Sequence, residues 1–127
     1  MKNIKLLMVI FGFTLIMSAC SEDCEKTTFQ EVILGTWNTT DVSGADAEKV
    51  TFNSDGTGSA TDNSLFTAEL NGITANDFLW SYDNTSMNMN IKWQFSSMSS
   101  SNVDYEIKSF DCEEVTMNFI LDVVIRK

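Results

Sequence analysis

The stretch Met87-Asn88-Met89-Asn90-Ile91-Lys92-Trp93-Gln94-Phe95 alternates between apolar and polar side chains without a break. Successive side chains of a β-strand point to opposite faces, so this pattern predicts a strand with one buried and one solvent-facing side. Such alternation is typical of antiparallel sheets, whereas the buried strands of parallel sheets are continuously apolar. The segment therefore favours an antiparallel, all-β protein.

The same period of two recurs before and after this segment. No long amphipathic helix is indicated after Cys20, and a short helical turn over 27–33 is the one exception. The further alternating sets are Phe78, Trp80 and Tyr82; Val103, Tyr105 and Ile107; and the longest, Val115, Met117, Phe119, Leu121, Val123 and Ile125.

Turn signals separate these segments. The stretch from Asn53 to Gly58 supplies two glycines, and Asn71-Gly72 is a typical two-residue hairpin turn. The serine-rich stretch from Ser96 to Asn102 predicts a long, polar loop. Pairing the first strand of such a meander with the last removes its exposed edges. We therefore predict a small antiparallel up-and-down β-barrel of about 7–8 strands over residues 33–127.

The inward positions of the predicted strands are rich in methionine and aromatic residues. Unbranched methionine side chains adapt to irregular apolar guests, so a ligand cavity is one interpretation. A barrel of about eight short strands is also just wide enough to be filled by its own side chains, and this second interpretation stays open. The candidate lining residues are Met87, Met89, Trp93, Met117 and Phe119.

The N-terminal segment has the pattern of an export signal. Lys2 and Lys5 precede an apolar run from Leu6 to Met17, which is shorter than the roughly 20 residues that a helix needs to span a bilayer. Met17-Ser18-Ala19-Cys20 ends this run and resembles the lipobox of bacterial lipoproteins. We predict a signal peptide over 1–19 and a lipid on Cys20; an ordinary signal peptide cut nearby is the alternative.

The stretch 20–26 lacks apolar periodicity, and we predict that residues 20–32 form a flexible tether between the lipid and the barrel. Ser21-Glu22-Asp23 resembles the acidic signal that sends some lipoproteins of Gram-negative bacteria to the outer face of the outer membrane. The expected location is therefore the outer membrane, exposed at the cell surface, with a periplasm-facing lipoprotein as the alternative. The membrane is contacted through the N-terminal lipid.

Two further cysteines remain once Cys20 is assigned to the lipid. In an oxidising compartment Cys24 and Cys112 are expected to form a disulfide that ties the tether to the start of the last strands. Two free thiols are the alternative, because sequence does not reveal how closely the two Cα atoms approach.

Leu34-Gly35-Thr36-Trp37 contains the Gly-x-Trp signature of the first lipocalin strand. Together with 50–58 and 78–83, it makes the chain resemble bacterial lipocalin-like lipoproteins. The resemblance implies that Gly35 allows a close turn at the closed end of the barrel, that Trp37 plugs that end, and that Arg126 stacks on Trp37. It also implies binding of a small hydrophobic ligand. An accessory envelope protein with a solid barrel that docks a protein partner is the alternative.

Composition argues against several other functions. The chain has no histidine, which removes the commonest general base and most zinc sites. Its formal net charge of -10 disfavours binding to nucleic-acid phosphates. No carboxylate pair stands out as catalytic. The sequence therefore predicts a non-enzymatic protein with no catalytic residue, no metal site and no cofactor.

Overall fold

The computed structural model describes residues 24–40, 46–61 and 65–127. In these residues it has one short helix and ten strands, and eight of the strands close into an antiparallel barrel in the order β1-β10-β9-β8-β7-β6-β3-β2. The prediction of a small antiparallel β-barrel is confirmed. The elements are α1 (Phe29–Ile33), β1 (Gly35–Thr40), β2 (Asp46–Phe52), β3 (Thr57–Ala60), β4 (Ala68–Leu70), β5 (Ile73–Ala75), β6 (Asp77–Asp83), β7 (Asn88–Ser96), β8 (Ser99–Phe110), β9 (Glu114–Asn118) and β10 (Asp122–Arg126).

The first and last strands close the barrel. Asn38 of β1 lies opposite Arg126 of β10, and Thr39 lies opposite Ile125. The remaining barrel strands pair in chain order, except that the β4–β5 hairpin is inserted between β3 and β6 as a separate two-stranded sheet. Closure leaves the barrel without a free edge on which another chain could add a strand.

The alternating pattern places one set of side chains inside. Phe78 lies opposite Trp93, Trp80 opposite Ile91, and Tyr82 opposite Met89. All of these side chains are buried or partly buried, whereas Lys92 on the other face of β7 is exposed. The polarity alternation of the sequence is therefore the inside–outside alternation of the barrel wall.

The serine-rich stretch from Ser96 to Asn102 is not the long loop that we predicted. β7 continues to Ser96 and β8 begins at Ser99, so only two residues turn the chain. Within the hairpin Ser101 lies opposite Trp93 and Ser100 opposite Gln94. Pairing with β7 fixes these serines in a strand, although their intrinsic preference is for turns.

The longest alternating set is two strands rather than one. β9 ends at Asn118 and β10 begins at Asp122, with Phe119-Ile120-Leu121 turning between them. Asn118 and Asp122 lie opposite each other. Because the connection has an odd number of residues, inward positions keep the same parity on both strands. The sequence alternation therefore passes through the turn without a visible break.

The barrel has two different ends. The closed end carries α1 and the β2–β3, β6–β7 and β8–β9 connections, and the Phe29 ring of α1 packs against those of Tyr82 and Phe110. Thr28 caps α1 in a capping box with Glu31, and Phe29, Val32 and Ile33 are buried. At the opposite end, here called the open end, lie the β3–β6 connection and the β7–β8 and β9–β10 turns.

A disulfide joins Cys24 to Cys112, with a Cα–Cα distance of 5.4 Å. The predicted pairing is confirmed. Cys112 lies in the β8–β9 connection, so the bond fixes the chain that precedes α1 to the closed end. In the part of the chain that the structure describes, no helix is long and apolar enough to cross a membrane. Cys20 and the expected signal peptide lie outside the described residues.

Candidate functional site

Trp37 is completely buried at the closed end. Its indole Nε1 donates a hydrogen bond of 2.7 Å to the backbone oxygen of Ile33, the last residue of α1. On the barrel wall Trp37 lies opposite Val50. The side chain thus joins the helix that covers this end to the first barrel strand. Gly35, two residues earlier, has a φ angle of 107°, a conformation that favours glycine.

Lys127, and not Arg126, lies over the Trp37 ring. The Lys127 Nζ atom is 4.7 Å from the ring centroid, within the range of a cation–π contact. Arg126 points outward and pairs with Glu114 at 2.7 Å. Inward and outward positions alternate along β10, and Arg126 follows the buried Ile125, so its side chain has to face solvent. Burial, as the largest cause, lowers the pKa of the Lys127 ammonium group.

Three of the five candidate cavity residues face the interior. Met89 and Met117 are completely buried, and Trp93 is 2% exposed. The Trp93 Nε1 atom donates a hydrogen bond of 2.8 Å to the backbone oxygen of Phe66. These side chains form part of one continuous core cluster that includes both ends of the barrel.

Phe66 is an interior residue that the sequence pattern did not reveal. It lies in the β3–β6 connection, is completely buried, and enters the barrel from the open end. Its ring contacts Phe52 at a centroid distance of 5.9 Å and Tyr105 at 5.6 Å. The alternation of Phe66, Ala68 and Leu70 leads into the β4–β5 hairpin, which is not part of the barrel, so it does not mark Phe66 as an interior residue. Phe66 fills the interior from one end, as Trp37 does from the other.

Met87 and Phe119 do not line an interior cavity. Met87 has a φ angle of 55° in the β6–β7 turn and is 43% exposed at the closed end. Phe119 lies in the β9–β10 turn and is 52% exposed. Each residue continues the sequence alternation of a neighbouring strand but lies just outside that strand. Met87 comes immediately before β7, and Phe119 comes immediately after β9.

Tyr105 connects the interior to the open end. Its hydroxyl donates a hydrogen bond of 3.3 Å to the backbone oxygen of Leu65, and its ring lies 5.9 Å from that of Phe119. Burial raises the pKa of Tyr105 to about 12. The hydroxyl therefore stays protonated across the physiological range and continues to hold the β3–β6 connection.

Exposed apolar side chains are concentrated at the open end. Among the described residues nine large apolar side chains are exposed, and seven of them lie in the connections at this end. The other two are Leu79 on the outer wall and Met87 at the closed end. We call the seven the apolar rim: Leu65, Leu70, Ile73, Met98, Phe119, Ile120 and Leu121.

The most exposed parts of the rim are two turns. Met98, at the tip of the β7–β8 hairpin, is 94% exposed, and Ile120 is 78% exposed. Leu65 and Phe119 both border Tyr105, so the β3–β6 connection and the β9–β10 turn adjoin each other. Exposed apolar side chains gathered at one end of a barrel indicate a candidate interaction surface.

The outer wall carries a groove of about 610 Å³. Outward-facing residues of β3, β6 and β7 line it, with Leu79 exposed between Asp77 and Lys92. At its floor Gly58 lies opposite Phe78, and a Cβ atom on Gly58 would overlap the Phe78 ring. Glycine is therefore required here for the packing of the wall.

Several exposed carboxylates stabilise turns. The Thr57 side chain donates to Asp55, and this bond, more than any other cause, lowers the Asp55 pKa. The backbone N–H groups of Glu113 and Glu114 lower the pKa of Asp111 in the same way. Within residues 24–40, 46–61 and 65–127, no group of three or more acidic or cysteine side chains is placed to hold a metal ion.

Comparisons with protein families, with curated proteins and with solved structures gave no match for this chain.

Proposed function

We propose that this chain is a lipid-anchored envelope protein with a lipocalin-like barrel that docks a protein partner through its apolar rim. The observation that carries the proposal is the position of the exposed apolar side chains, seven of nine at one end of the barrel. Burying large apolar side chains is the main favourable term in most protein association. The proposal assigns no catalytic residue and no cofactor to the chain.

The burial of the inward-facing candidate residues favours docking over the small apolar ligand that the sequence also suggested. Met89 and Met117, the two methionines of the candidate cavity that face inward, are fully buried among other core side chains. Phe66 and Trp37 occupy the two ends.

The disulfide supports a defined orientation on the membrane. If Cys20 carries the lipid, the four Cα–Cα steps from Cys20 to Cys24 span at most about 14 Å when fully extended. Cys24 is bonded to the closed end. With nine residues in β7 and an ordinary strand tilt, the rim lies roughly 20–25 Å further out. We propose that the rim faces away from the outer membrane, at the cell surface or, in the alternative, in the periplasm.

The test compares three variants in the native envelope. Cys20→Ser should move the protein from the membrane pellet to the soluble fraction, because acyl chains supply the anchoring. Ile120→Ser combined with Leu121→Ser should stay in the membrane but lose its complex. Leu79→Ser, an exposed apolar side chain on the wall, is the matched control and should behave as wild type.

Membrane association is measured by fractionation after a high-salt wash, and complex formation by native electrophoresis of the solubilised envelope. Wild type is expected to migrate well above one 14.2 kDa chain. If Cys20→Ser remains in the washed pellet, the anchoring is wrong. If the rim variant migrates like wild type, the rim does not hold the partner.

A further inference from the structure

The described segments that carry the apolar rim are acidic. Residues 65–77, 97–104 and 118–122 contain four carboxylates and no lysine or arginine. The described ion pairs within 4 Å join Lys108 to Glu106 and Arg126 to Glu114, so they neutralise none of these four. The rim carboxylates are Glu69, Asp77, Asp104 and Asp122.

Two of these carboxylates stand next to exposed apolar residues of the rim. Asp122 directly follows Leu121, and the Asn118 side chain donates to it at 2.8 Å. Glu69 lies in the β4–β5 hairpin beside Leu70. Lys92, on the outer wall, faces the groove that it shares with Asp77. The β4–β5 hairpin and the β9–β10 connection therefore each place an exposed apolar side chain beside a carboxylate that no described ion pair neutralises.

Resting on the proposed function, we infer that the rim binds a protein surface whose apolar side chains are flanked by lysine or arginine. Complementary charges around an apolar contact steer association and suppress wrong partners. A second copy of this chain would bring two acidic rims together. An anionic lipid surface would likewise be repelled. A protein surface with apolar side chains flanked by lysine or arginine complements both the exposed apolar side chains and the carboxylates of the rim.

The experiment uses three fluorescein-labelled synthetic peptides with the same apolar residues. Their flanking positions are all lysine, all glutamine or all glutamate. The protein as the cell produces it is held in phosphatidylcholine nanodiscs, and binding is followed by fluorescence anisotropy at low and high salt. We expect the lysine peptide to bind at least about tenfold more tightly than the glutamate peptide at low salt, with the difference reduced at high salt.

Variants separate the two parts of the inference. Glu69→Gln combined with Asp122→Asn should reduce the preference for lysine while leaving the glutamine peptide unchanged. Glu113→Gln, an exposed carboxylate at the closed end, is the control and should alter neither. Ile120→Ser should weaken all three peptides, because it removes apolar contact that they share.

The outcomes distinguish this inference from the proposed function. If the three peptides bind equally and Ile120→Ser weakens them all, the charge preference is wrong and the docking rim stands. If no peptide binds, or Ile120→Ser changes nothing, both are wrong. Binding to anionic vesicles, or concentration-dependent dimers in sedimentation, would overturn the inference in favour of a membrane or a second copy.

Discussion

Replacing Trp37 by alanine is expected to destabilise the protein by about 3 to 5 kcal/mol, because the change leaves a cavity in the core. The side chain is fully buried, and its indole nitrogen holds the last residue of α1. Domains of this size are stable by only about 5–15 kcal/mol, so part of the population will unfold. Trp37→Phe should cost less, because most of the apolar volume remains. Urea denaturation followed by circular dichroism measures both variants.

The same experiment tests which cation covers Trp37. If Lys127 lies over the ring, Lys127→Ala and Trp37→Ala should be non-additive by about 0.5–1 kcal/mol, since either change removes the same contact. Arg126→Ala is the matched control and should add to Trp37→Ala, because Arg126 pairs with Glu114 instead. A stability change below about 0.5 kcal/mol for Trp37→Ala would show that Trp37 does not plug the barrel.

Removing the disulfide by Cys24→Ser and Cys112→Ser is expected to cost roughly 4 to 5 kcal/mol in the loop-entropy treatment of cross-links. The sequence separation of the two cysteines is 88 residues, so the bond restrains most of the unfolded chain. The effect should appear as a lower urea midpoint for the double variant. Chemical reduction of the wild type should reproduce it.

Non-reducing peptide mapping provides the control for this experiment. It should recover one cross-linked species that contains Cys24 and Cys112. Complete alkylation of both thiols without prior reduction would contradict the structure. The chain that carries the proposed lipid would then not be bonded to the closed end. The proposed orientation of the rim relative to the membrane would have no structural basis.

Much of the barrel was predictable because a period of two reports directly which face of a strand is buried. The alternation around Trp93 and in β8 identified interior positions that the structure confirms. The number of short strands and the turn signals favoured closure, and the pairing of β1 with β10 provides it. The cysteine pair followed from a count of cysteines and the expected compartment.

Most of the positions that the sequence did not reveal lie just before a strand begins or just after one ends. Alternation continues in the residue types across the β9–β10 turn, which hid the exposure of Phe119, Ile120 and Leu121. Met87 belongs to the alternating stretch 87–95, so the pattern predicted that it lies in a strand. In the structure it adopts a positive φ in a turn, which few non-glycine residues do. Phe66 is held in the core by tertiary contacts from a loop. The exposed apolar rim therefore depends on the positions of the turns, which the alternation pattern does not indicate.

We propose that the rim, and not the barrel interior, binds apolar partners. The chemical shifts of the methionine methyl groups distinguish the two locations directly. Met98 lies on the rim, whereas Met89 and Met117 are fully buried. We would label the methionine methyl groups with ¹³C and titrate the protein with 1-octanol, an uncharged apolar ligand, below its solubility limit. We expect any change of chemical shift to be confined to Met98. Shifts of Met89 and Met117, with Met98 unchanged, would show that the barrel opens to a ligand and would contradict this proposal.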